Sequence, residues 1–114
     1  MTLFEISKET IGAAYEALKV AVIAAYEAGE SAIVAKGNLE AMRHSMLMTG
    51  EIFGKNEAER EAKARQLLEE KFNAVDFYEL EARRSKTVLD VARLDVEQVR
   101  AQLRLMELVE AAAG

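Results

Sequence analysis

His44 is the only histidine in the chain, and any histidine-based acid–base or metal chemistry has to be built around it. Glu40 lies four residues earlier, so a helix would put both groups on one face. Carboxylate-bridged di-iron bundles use Glu-x-x-His with both side chains pointing into the core. Here the spacing is Glu-x-x-x-His, and both residues fall outside the apolar register of their segment. The simpler reading is an exposed histidine near the end of a helix. Ser45 is its neighbour, but adjacent residues on a helix do not face each other, so no Ser–His pair forms. Ser31 and Ser85 sit at or near apolar registers, where small size explains them. Gly50-x-x-x-Gly54-Lys55 begins like a phosphate-binding loop, yet no strand precedes it and no Ser or Thr follows the lysine. The sequence therefore assigns no catalytic residue, no cofactor-binding residue and no metal ligand.

The second chemistry to weigh is recognition of phosphate. Arg83, Arg84, Lys86, Arg93, Arg100 and Arg104 stand against Asp90, Asp95 and Glu97. Binding to nucleic acid needs a concentrated positive field. This chain carries 15 Lys and Arg against 20 Asp and Glu, a net charge of -5, and no aromatic residue is interleaved in that stretch. A solvated helix face is the better account, with contact to nucleic acid as the alternative.

Any such group must be positioned by helices. With no proline and 51% apolar residues, much of it alanine, the composition favours long uninterrupted ones. The absence of cysteine excludes a disulfide framework and thiolate metal sites. No basic-then-apolar leader opens the chain and no apolar run spans a bilayer, so the expectation is a cytoplasmic protein without membrane contact. One turn interrupts the pattern, at Met48 to Asn56. Gly50 suits the residue after a helix end, and Asn56 with Glu59 three residues on makes a capping-box start.

The first helix is expected over about residues 2–49, starting at Thr2 or Ser7, and the second over about 57–112. In the first, alternate steps of three and four give Ile11, Ala14, Leu18, Ala21, Ala25, Ala28, Ala32, Ala35, Leu39, Met42 and Met46. The phase does not slip at Gly29 or Gly37, which argues for one unbroken helix. The second helix repeats the pattern from Leu68, Phe72 and Val75 through Ala92, Val96 and Val99 to Met106. Leu80, Val88, Val91, Leu94, Leu105 and Leu108 form a further stripe beside it. The run from Asn56 to Glu70 reads as a solvated charged face.

The fold class is thus all-α, a single-domain antiparallel helical hairpin. At 1.5 Å per residue the helices would be roughly 65–70 Å and 80–85 Å long. Two such rods cover only one stripe of each other, so the remaining apolar residues call for more helices. A homodimer forming a four-helix bundle is the economical arrangement, and a tetramer is the alternative. The interface is expected at Ala14, Leu18, Ala21, Val22, Ala25, Ala28, Ala32, Leu105 and Leu108, with small alanines allowing close helix approach. Ile52 and Phe53 in the turn would either cap the bundle end or contact an unidentified protein partner.

Gly54-Lys55-Asn56-Glu57, followed by a charged run and then Ala/Glu/Arg repeats to Leu108, resembles a group of small helical proteins of bacteriophages and prophages. The resemblance covers about Gly50 to Leu108, and the turn is its distinctive part. It implies a setting among phage replication or recombination functions and carries no assigned activity. The function expected on these grounds is a non-enzymatic, oligomeric interaction or structural module. The alternative is an accessory factor in phage-type DNA metabolism, touching nucleic acid or a nuclease through Arg83–Arg104.

Overall fold

A computed structural model describes residues 7–113. Three helices follow in order, α1 (Lys8–Met48), α2 (Glu57–Leu67) and α3 (Glu69–Ala113), and the chain is an all-α helical hairpin. The start of α1 is fixed by Ser7, whose hydroxyl accepts from the Thr10 N–H at 3.1 Å. Residues 2–6, included in the expected first helix, lie outside the described residues. α1 then runs unbroken through Gly29 and Gly37, as its constant apolar phase requires.

At the other end of α1 the chain reverses through tightly bonded backbone. Gly50 has φ +80, a left-handed conformation that favours glycine. Its N–H bonds the Leu47 carbonyl at 3.3 Å, the inner bond of a Schellman cap, and the Ile52 N–H bonds the Met46 carbonyl at 3.1 Å, one residue beyond that motif's outer bond. Asn56 caps α2, its Oδ1 accepting from the Glu59 N–H at 2.9 Å. The Glu59 carboxylate reaches back to the Lys55 N–H at 2.7 Å, one residue before the cap. The reciprocal capping pattern legible in the sequence is thus made with a one-residue offset. Gly54 is needed for a different reason. A Cβ there would stand 2.7 Å from the Glu59 Cβ and 2.9 Å from the Arg60 backbone nitrogen, so α2 begins against bare backbone.

The expected second helix is corrected in one respect. It is interrupted at Leu68, where φ is -115 and ψ is 26. Backbone bonding continues across the interruption, Leu68 N–H to the Ala64 carbonyl and Phe72 N–H to the Leu68 carbonyl. The inward residues here are Ala64, Leu68, Phe72 and Val75, which are spaced four, four and three. Two successive steps of four insert a stutter into the three–four alternation and locally unwind the helix. From Val75 onward the alternation resumes.

The chain divides into two compact units. One, Tyr26–Arg83, holds the turn and a cluster of Leu39, Ile52, Ala64, Leu68 and Val75, with Ala35, Met46 and Phe72 packed against it. Beside this cluster Arg43 pairs with Glu61, which also meets Arg65 at 3.4 Å. The other unit comprises Met1–Ala25 and Arg84–Gly114. Its buried residues are Ala21, Ala92, Val96 and Val99.

Candidate interaction surface

Of the serines weighed in the sequence, Ser31 is exposed and Ser85 half-buried. His44, Glu40 and Ser45 are all exposed. Among the described residues no group of three or more His, Asp or Glu is placed to hold a metal ion. None of their helices is long and apolar enough to cross a membrane.

The expected interface residues separate into two sets. Ala21 is buried within its own unit, and Ala14, Leu18 and Ala25 are partly covered there. In the other unit, Ala28 and Ala32 are partly covered as well. These residues form the inner seam of the hairpin, and Ala21 in particular is already covered inside the chain. Val22, Leu105 and Leu108 are the members that face outward. The turn residues separate in the same manner. Ile52 is only 3% exposed and belongs to the core cluster, which removes it as a contact for another protein. Phe53, next to it, is exposed, and the Lys63 ammonium lies 5.3 Å from its ring centre.

All six expected basic residues, Arg83, Arg84, Lys86, Arg93, Arg100 and Arg104, are exposed. They are not a field of bare charge. Arg93 lies 3.8 Å from Asp90, and Arg83 and Arg84 are both engaged within the chain. Along an open trough of α3, Arg100 and Arg104 are bracketed by Glu97 and Glu107.

Both units also leave large apolar side chains uncovered. In the unit containing the termini, Tyr15, Val22 and Ile23 of α1 are about half exposed, and so are Val88, Val91, Leu94, Leu105, Leu108 and Val109 of α3. In the unit containing the turn, Tyr26, Ile33 and Val34 are exposed in the same way. The further stripe read from the sequence is therefore present on α3 as a solvent-facing row. Within it, Leu94, Leu105 and Leu108 lie on the side of α3 opposite Ala92, Val96 and Val99, so α3 is apolar on two opposed faces, a pattern expected of a helix covered on both sides.

Compared with protein-family models, curated proteins and solved structures, the chain matches none.

Proposed function

We propose that this protein is a non-enzymatic helical module that acts by assembling with itself and presenting a helical surface to another macromolecule. The observation that supports this reading is the amount of surface left over. The chain exposes 8700 Å², about two-fifths more than the roughly 6,200 Å² that a compact monomer of its 12.6 kDa would expose. Among the side chains exposed are many large aliphatic and aromatic ones, of a kind worth up to about 1.5–3 kcal/mol each when fully buried. An excess of that size is in the range that obligate interfaces cover. The setting among phage or prophage proteins, implied by the Gly54-Lys55-Asn56-Glu57 turn, belongs to the same proposal and adds no activity to it.

Sedimentation equilibrium at low micromolar concentration tests the reading. The expected result is a dimer or larger species; a folded, helical monomer throughout that range would overturn it.

A further inference from the structure

We infer that the outward face of α3 between Val88 and Val109 is a coiled-coil seam for the same face of a second copy, with the two α3 helices running antiparallel. The inference rests on the self-assembly proposed above and names the surface, the occupant and the register.

The face has its own heptad. Val91, Leu94, Gln98, Ala101, Leu105 and Leu108 are spaced three, four, three, four and three, the a and d positions of a coiled coil. The residues that α3 buries within its own chain, Ala92, Val96 and Val99, fall at the b and f positions of that same heptad. One helix thus carries two separate seams. The inner is filled by its own chain and the outer is open, with Leu94 at 62% and Leu108 at 61% exposure.

Side-chain sizes and charges select the orientation. Let the two-fold axis pass between Val99 and Arg100. Each a position then meets a d position of the other copy: Val91 meets Leu108, Leu94 meets Leu105, and Gln98 meets Ala101. Large residues pair with large ones, and the one polar residue of the seam faces the one small residue, which leaves space for its amide. The flanks agree. Glu97 comes beside Arg104 at both g positions, Asp95 comes beside Gln102, and Val88 meets Val109, which continues the apolar strip. All of these flanking residues except Gln102 are exposed in the single chain.

The alternatives are penalised by the same residues. Sliding the antiparallel pair by one heptad brings Arg104 against Arg104 in one direction and Glu97 against Glu97 in the other. A parallel pair stacks Gln98 on Gln98 and Ala101 on Ala101 and brings Asp90 beside Asp95 of the other copy. Like charges at such flanks are unfavourable, and polar seam residues that match in only one register fix it.

The absence of native cysteine makes a direct test possible. Leu94→Cys and Leu105→Cys variants, both at exposed positions, are oxidised separately and after being unfolded and refolded together. The expected result is little disulfide-linked dimer from either variant alone and a dominant linked heterodimer from the mixture. Equal linkage of each variant by itself would overturn the antiparallel arrangement. If the wild type sediments as a dimer while the mixture gives no linked product, another face is the interface, and the inference fails while self-assembly stands. A monomeric wild type would end both. As a second arm, Glu97→Arg should raise the dimer dissociation constant about tenfold or more, and Glu97→Arg combined with Arg104→Glu should restore it to within about threefold. Failure of the double swap to restore affinity would overturn the register.

Discussion

The unit holding the turn and the unit holding the termini are built from the same two-helix pattern, yet they bury different things. Around the turn the inward positions carry Leu39, Ile52, Ala64, Leu68 and Val75, with Ala35, Met46 and Phe72 packed against them. In the other unit the buried residues are two alanines and two valines, Ala21, Ala92, Val96 and Val99, while leucines and valines face water. Near the turn, the loop residue Ile52 closes the end of the cluster, so this part of the hairpin gains cover that two parallel rods cannot give each other. Where no turn is at hand, two helices cover one stripe each. Both units leave large apolar side chains exposed, so the difference lies in what is buried: large residues where the turn closes the chain on itself, and small alanines and valines where only two helices meet.

The largest effect that tests this contrast is at the core cluster. Leu68→Ala removes a buried side chain whose neighbours come from α1, α2 and the turn, and should cost about 2–4 kcal/mol in urea unfolding. Leu94→Ala, at an exposed position, should change the stability of the dissociated chain by less than about 0.5 kcal/mol. Similar losses for both at protein concentrations low enough to separate copies would erase the distinction between the units.

A smaller effect should come from enlarging the inner seam. Ala21 is 3% exposed, and Ala21→Leu should cost about 1–3 kcal/mol because the facing helix must move outward to admit it. Ala13 lies on the exposed side of the same helix, and Ala13→Leu should be nearly neutral. Equal melting temperatures for the two variants would mean that the seam is misplaced.

The helices, the turn and the inner seam were all legible in the sequence, because each follows from local chemistry. Gly50 and Asn56 mark the turn by backbone conformation and capping, and the alternation of three and four marks the seam without reference to any distant residue. The interruption at Leu68 is less legible. It arises from two successive steps of four, and the first of them begins at Ala64, an alanine hidden in a run of charges. Arg43 and Glu61 lie 18 residues apart and meet only once the turn geometry is known. The fate of Ile52 and Phe53 was equally out of reach, since neighbours in a turn point in different directions and only the fold decides which one is covered. The opposed second face of α3 was visible as a patchy stripe, but Gln98 and Ala101 concealed its regular heptad spacing, because neither is a large apolar residue.

The turn itself should respond to a change that removes nothing. Gly54→Ala brings a methyl group against the Glu59 Cβ and the Arg60 backbone nitrogen. One neighbour is main chain, so the cap of α2 must shift, at a cost of about 1–2 kcal/mol measured by thermal unfolding. An unchanged melting temperature would show that the turn is looser than its hydrogen bonds suggest.

The smallest effect has the opposite sign and reports on both units at once. Gly12 and Gly37 lie within α1, one in each unit, and a Cβ at either would meet nothing within 4 Å. Glycine in a solvated helix interior is less favourable than alanine by about 0.8–1.0 kcal/mol, so each Gly→Ala change should stabilise by roughly that amount. The two gains should be equal while the copies are separate, because helix propensity is blind to which unit holds the residue. On raising the concentration into the range where copies associate, both gains should persist if only α3 meets the partner. If one gain shrinks or reverses as association sets in, a second chain lies against α1 at that glycine, and the seam on α3 cannot be the whole interface.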